Sequence, residues 1–236
     1  MRRVDNPPMW SRYEAPLRQL LQARYPTAAM PDAWDKTDIW PGYAAPFVRR
    51  PPEQDAGDEA VPALEVKLGN FGLIPAWARD DTIGRRTYNA RSETVAEKPA
   101  FRDAWRRAQH CIVPAVGIYE PDWRSGRAVP TRIGRTDGDL LGIAGLYELR
   151  TTANGDMAYS FTMLTLNADT HAVFNQLHKP DPRLPADRQD KRMVAILPRG
   201  LYAAWLDAPA ARGMDFMKMF PAARLVCHQD VAPLLP

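Results

Sequence analysis

Between residues 111 and 167 apolar stretches recur so closely that the chain is committed to a sheet. The segments CIVPAVGIY (111–119), 129–135, LLGIAGLYEL (140–149) and AYSFTMLTLN (158–167) each have strand length and are rich in Val, Ile, Leu and aromatic residues. Asp137-Gly138 and Asn154-Gly155 fall between consecutive members and predict two tight hairpins. Further strands are expected at 43–50 and 62–69, with PPEQDAGDEA between them as a surface loop or hairpin tip. NFGLIPAWA (70–78) suits a strand that ends in a loop at Pro75, and 192–198 and 223–228 read as the last strands.

Helical signals are few and peripheral. Leu17, Leu20 and Leu21 predict a surface helix within 10–24. In 97–109, Pro99 fits a first turn and Phe101, Ala104, Trp105 and Ala108 form a buried stripe. Asp169 is a candidate N-cap for a short helix to Leu177, and 200–207 predicts one or two turns. Residues 179–191 form a polar, proline-rich stretch. Nine of the 23 prolines lie in the first sixty residues, which suggests an extended arm over 1–60. With no repeat and no linker, residues 1–236 are expected to form one domain of the α+β class, a hairpin-rich antiparallel sheet system with short peripheral helices.

Composition narrows the function classes. The hydrophobic fraction of 45% and charged fraction of 25% are those of a globular chain rather than a disordered one. No run of eighteen apolar residues is present, so a transmembrane helix is not expected, and the N-terminus shows no secretory signal pattern. Two cysteines, Cys111 and Cys227, build neither a disulfide scaffold nor a four-cysteine zinc site, which points to a reducing cytoplasm. No histidine stands at a metal-ligand spacing from a cysteine or carboxylate, so no metal and no cofactor are expected. Nucleotide-binding glycine loops and GxSxG are missing. A net charge of +3 is too small to indicate nucleic acid by itself. The 25 arginines against 6 lysines suit phosphate and base contacts, but on composition alone GC-rich codon usage is the better explanation.

Three clusters carry possible chemistry, each with an ordinary structural explanation beside it. In Tyr88-Asn89-Ala90-Arg91-Ser92-Glu93-Thr94, Asn89 and Glu93 read first as loop and cap residues. In Gly117-Ile118-Tyr119-Glu120 a carboxylate closes an apolar strand, either facing solvent or held there for proton transfer. In Gln176-Leu177-His178-Lys179-Pro180, His178 also fits a helix C-terminal residue complementing the dipole.

Taken in order, these clusters resemble the SOS response-associated peptidase (SRAP) family, the abasic-site-processing proteins. The resemblance rests on FGLIPAWA (71–78), YNARSETVAEKPAFRDAWRRAQHCIVPAVGIYE (88–120), LLGIAGLYEL (140–149), SFTMLTLNAD (160–169) and the region from His178 to Pro198, a family-like core of about 70–198. It implies a single compact domain around an open, barrel-like β core, which recognises abasic sites in single-stranded or junction DNA. It also implies a covalent adduct with the sugar aldehyde: a Schiff base through the N-terminal amine, closed to a thiazolidine by the thiol where a mature N-terminal cysteine exists. Autopeptidase and lyase-like activities accompany this chemistry in the family.

By the same resemblance Asn89 orients the nucleophile, Glu120 is the general acid/base and His178 shuttles a proton. Arg91 contacts a DNA phosphate, Phe71, Pro75 and Trp77 offer the apolar edge on which bases stack, and Arg192 aligns with a DNA-contacting arginine. Phe71 stands where tryptophan is commoner, and an insertion follows His178. The resemblance implies a monomer, cytoplasmic and nucleoid-associated when bound to DNA, with no membrane partner.

Here Arg2, not cysteine, follows Met1. Cys111, at the head of a predicted core strand, and Cys227 are not expected to replace the missing thiol. The rival reading is therefore a non-covalent single-strand binder without the N-terminal cysteine chemistry. A peptidase acting on other proteins ranks below both, since no Ser/His/Asp or Cys/His set is visible. Residues 79–107, which include the Asn89–Thr94 block, carry eight basic and five acidic side chains and so hold the whole net charge of +3.

Overall fold

The computed structural model describes residues 12–52, 62–152 and 154–229. Its regular elements are β1 (Arg12–Glu14), α1 (Arg18–Arg24), β2 (Asp38–Ile39), β3 (Ala44–Arg49), β4 (Glu65–Phe71), β5 (Asn89–Arg91), α2 (Arg102–Arg106), β6 (His110–Ala115), β7 (Gly117–Asp122), β8 (Val129–Arg135), β9 (Leu141–Thr151), β10 (Met157–Asn167), β11 (Arg192–Val194), α3 (Tyr202–Asp207) and β12 (Leu225–Gln229).

Strand β9 pairs antiparallel with β10 from Met157↔Thr151 to Met163↔Gly145, through the turn at Asn154-Gly155. Gly155 has φ +88°, the left-handed backbone such a turn favours. β9 also pairs with β6, β6 with β3, β3 with β4, and β4 runs parallel to β10 at Ser160↔Asn70 and Phe161↔Phe71. The five strands β3, β4, β10, β9 and β6 thus form a ring. The barrel-like core expected from the resemblance is present, and its ring is closed.

Apolar burial drives closure. Phe47, Phe71, Phe161 and Ile112 are essentially inaccessible, and Phe161 packs against Phe47 and Phe71 with ring centroids 5.5 Å apart in each case. Burying each such side chain contributes roughly 1.5–3 kcal/mol. One charge is buried with them. Arg49 donates from Nε to Glu65 at 2.6 Å and from its terminal nitrogens to the hydroxyls of Tyr147 (3.0 Å) and Tyr159 (2.9 Å), so the guanidinium is neutralised and solvated by protein.

β5 and β11 extend the barrel sheet on β10, and the other five strands make a second sheet in the order β12-β8-β7-β1-β2. Two sequence expectations change here. The apolar run 111–119 is two strands: β6 ends in the barrel, the Val116 amide donates to Glu14 (2.8 Å), and β7 begins in the second sheet. Asp137-Gly138 is a turn, with Gly138 at φ +71°, but β8 pairs with β7 and β12 while β9 pairs in the barrel. The turn therefore passes the chain between sheets instead of closing a hairpin.

The helices are shorter than their patterns suggest. Pro16 separates β1 from α1, and of the leucine stripe only Leu21 is buried, Leu17 being 59% and Leu20 47% exposed. Turns occupy 92–101, so α2 covers only 102–106, though Phe101, Ala104 and Trp105 are buried as expected. Asp169 caps no helix. Its carboxylate accepts the Lys191 (2.8 Å) and Asp190 (3.3 Å) amides, and only a 3-10 turn at Phe174–Gln176 follows. Residues 1–11 of the expected arm, Met1 and Arg2 among them, and most of the 51–60 loop lie outside the described residues.

The cysteines occupy contrasting environments. Cys111 is fully buried, and burial pushes its thiol well above the ordinary range, whereas Cys227 is exposed on β12. Ellman's reagent is expected to titrate one thiol in the native protein and two after denaturation. Rapid native labelling of both would contradict this placement of Cys111.

Candidate functional site

The far end of β10 gathers the three sequence clusters. Beyond the ring contacts, Met163–Thr165 pairs in parallel with β5, and Thr165–Asn167 pairs antiparallel with β11. β5 brings Asn89 and Arg91 and β11 brings Arg192. The third contributor is β7, whose last turn meets the chain after the 3-10 turn. Asp122 and Leu177 form an isolated antiparallel bridge, and the His178 amide donates to the Pro121 carbonyl at 2.8 Å.

That extra pairing sets His178 against Glu120. Imidazole Nε2 lies 2.7 Å from carboxylate Oε2, and each side chain retains 15% of its exposure. An ionised carboxylate only accepts, so Nε2 carries the shared proton. Burial would lower the His178 pKa, but the Glu120 charge and hydrogen bond outweigh it and Lys191 opposes them only in part, so the net direction is upward. The carboxylate thus favours the protonated form of the imidazole.

His178 has φ +62°, unusual for a residue with a Cβ. Lys191 supports it. The ammonium, buried beneath the 179–191 loop, donates to the Leu177 carbonyl (2.6 Å) and the His178 carbonyl (2.8 Å). Desolvation draws the Lys191 pKa down, with Asp169 partly offsetting it. Sequence reasoning missed this residue. It sits inside a stretch that reads as a polar loop, and its only signal is that lysine is scarce in the chain.

Glu120 and His178 open on a cleft of about 430 Å³, lined also by Asn89, Arg91, Tyr88, Thr165 and Arg192. Asn89 is exposed and also borders a narrow gap shared with Glu120, Arg12 and Tyr119. Arg91, 56% exposed, is held by Asp190 at 2.7 Å. The fork of Arg192 closes on Glu93 at 2.9 Å through both terminal nitrogens and reaches the Thr165 carbonyl at 3.0 Å. That pair holds the Glu93 carboxyl below its usual range. A phosphate contact by Arg192 would have to displace Glu93.

The stacking edge needs correction. Phe71 is 1% exposed, with its ring against Tyr13, Tyr88 and Phe161, and Pro75 is buried, so neither presents a face to a base. Trp77 is 54% exposed but does not line the cleft.

His110 and His171 have different employment, and His228 is exposed on β12. His110 stacks on Trp205 at 3.8 Å and burial lowers its pKa to about 4. His171 spends Nε2 on the Phe220 carbonyl and accepts the Val173 and Phe174 amides at Nδ1. Among the described residues no group of three or more His, Cys, Asp or Glu is placed to hold a metal ion. None of the described helices is long and apolar enough to cross a membrane.

Comparison with known proteins places the fold and the sequence in a family. The chain is 36% identical over 127 residues to the abasic site processing protein YoqW of Bacillus subtilis, covering 52% of this chain and 54% of that one. It is 24% identical over 203 residues to the abasic site processing protein HMCES of Gallus gallus, covering 76% and 56%. The chain thus spans about half the length of the curated relatives it matches. Among solved structures, a crystal structure of a protein from Bordetella bronchiseptica superposes with a TM-score of 0.78 at 42% identity, covering 93% of this chain and 98% of that one. A protein from Bacteroides thetaiotaomicron shares the fold at 21% identity and a TM-score of 0.72, covering 93% and 91%. The family profile described as SOS response associated peptidase (SRAP) matches residues 9–232. With that match running through the barrel, the second sheet and every contributor to the cleft, the chain belongs to the SOS response associated peptidase family.

Proposed function

We propose that this chain senses abasic sites in single-stranded or junction DNA and forms a covalent adduct with the lesion aldehyde. The Glu120–His178 contact of 2.7 Å inside the cleft carries the reading, because it sets an acid–base pair where a sugar would lie. An uncharged α-amine attacks the open-chain aldehyde carbon to give a carbinolamine. The shared proton moves from His178 through Glu120 to the departing hydroxyl, water leaves, and the nitrogen returns a proton to the pair as the imine forms. Asn89 orients the amine beside Glu120. Arg12, the end of β1 nearest Glu120, borders the same gap, so the chain enters the second sheet beside the pair. Where a mature N-terminal cysteine exists, its thiol adds to the imine and closes a thiazolidine. The autopeptidase activity is assigned to the same groups. We assign the protein to the cytoplasm, as a monomer, and to the nucleoid when bound.

The test is incubation with single-stranded DNA carrying an enzymatically excised uracil, with and without borohydride. A heat-stable or reductively trapped adduct is expected. If neither forms while binding persists, the chain is the non-covalent binder and the covalent reading is lost.

Arg91→Ala is expected to weaken binding across sequences and to lower the slope of log K against log salt by about 1. Its exposed ion pair with Asp190 contributes no more than about 1 kcal/mol, so thermal stability should barely move. An unchanged slope in a salt titration would remove Arg91 from the phosphate contacts.

A further inference from the structure

A second cavity of about 420 Å³ adjoins the cleft, on the other side of the 179–191 loop. Asp181, Leu184, Gln189 and Lys191 line both. The loop between them is a built wall. The Gln189 amide accepts from the Asp181 backbone (2.8 Å) and donates to the Leu184 and Pro185 carbonyls (2.9 Å each). Asp181 in turn takes the Arg183 fork.

The opposite wall is Trp123, half-buried just after β7. Lys179 stands over the indole, Nζ lying 5.3 Å from the ring centroid. The pairing of 177–178 with β7 that sets His178 on Glu120 also sets the next residue on Trp123. Trp123 lies three positions after Glu120, about 10 Å of chain. The cavity is therefore the next compartment along any strand whose abasic sugar occupies the cleft.

Its chemistry is specific. Trp123, Pro180, Pro182 and Leu184 supply flat apolar surface, and the exposed Asn175 amide offers a donor and an acceptor at the rim. The carboxylates nearby are already neutralised, Asp181 by Arg183 and Asp122 by Arg124. Lys179 leaves one flank cationic. A nucleobase beside an abasic residue has lost its stacking partner on one side, and an indole replaces it with little sequence preference. We infer that this cavity takes the nucleobase adjoining the lesion, stacked on Trp123. The inference rests on the abasic-site reading of the cleft.

The test uses single strands with a tetrahydrofuran abasic analogue and 2-aminopurine on its 5′ or 3′ side. Wild-type protein is expected to quench the probe at one of the two positions. Trp123→Ala should relieve that quenching and weaken binding about tenfold, and Trp123→Phe should retain most of both. Should Trp123→Ala melt early, Leu184→Asp, on the exposed loop wall, is expected to weaken binding by a similar factor. Binding and quenching by Trp123→Ala equal to wild type at both positions would overturn the subsite alone. Failure of the wild type to bind any of these strands would overturn the reading of the cleft and the subsite with it.

Discussion

Glu120→Gln is expected to slow formation of the borohydride-trapped adduct by about 10²–10⁴-fold while oligonucleotide binding persists. The amide keeps the shape of the carboxyl and removes its ability to exchange a proton with the carbinolamine. A second consequence is visible without DNA. In the wild type the carboxylate raises the His178 pKa against burial and against Lys191. With Gln at 120 only the lowering influences remain, so the His178 titration followed by NMR should move down. The sign for stability follows. The wild-type pair stabilises the fold most at pH below the ordinary histidine value of 6.5, and this contribution fades as pH rises through the raised folded value. The stability gap between wild type and Glu120→Gln should therefore narrow on going from about pH 6 to about pH 8. Wild-type trapping rates in the variant would remove Glu120 from the chemistry, and an unmoved His178 titration would contradict the contact itself.

Lys191→Met is expected to cost about 2–4 kcal/mol of stability, because two buried carbonyls lose a charged donor at once. For a domain of this size the midpoint of thermal unfolding should fall by about 5–15 °C. The thioether retains the stem and fills the space, so lost packing is a minor part. The left-handed backbone at His178 loses the clamp that holds it, and trapping should slow even where the variant remains folded. Removal of the cation also raises the His178 titration, opposite to the change in Glu120→Gln. A melting curve within a degree of wild type would show that the backbone at 178 holds itself.

The two outcomes bear on how far the sequence could be read. The β9–β10 hairpin was legible because Asn154-Gly155 has a local cause, a turn needing positive φ. Asp137-Gly138 has the same local cause and the opposite topology, since pairing is decided by which sheet each flanking strand joins. The break at Val116 was invisible because β6 and the start of β7 are buried alike, and a continuous apolar run has no period to interrupt. Asn89, Glu120 and His178 were legible only together, through their order and neighbouring motifs. The meeting of His178 with Glu120 depends on the Asp122–Leu177 bridge, which has no sequence signature. Phe71 was misplaced because an aromatic beside a loop reads the same whether it faces solvent or the barrel. Lys191 was missed because the carbonyls it serves belong to backbone 13 and 14 residues away.

The closed ring has a consequence for how the site comes into being. Closure joins β4 near residue 70 to β10 near residue 160, a separation that makes the loop-closure entropy high and the contact late. The same eleven-residue strand carries the ring at its start and β5 and β11 at its end. Asn89, Arg91 and Arg192 therefore take their places only on a strand the ring has already immobilised. A chain emerging from synthesis holds these groups apart until the barrel shuts, so the cleft is assembled together with the native state.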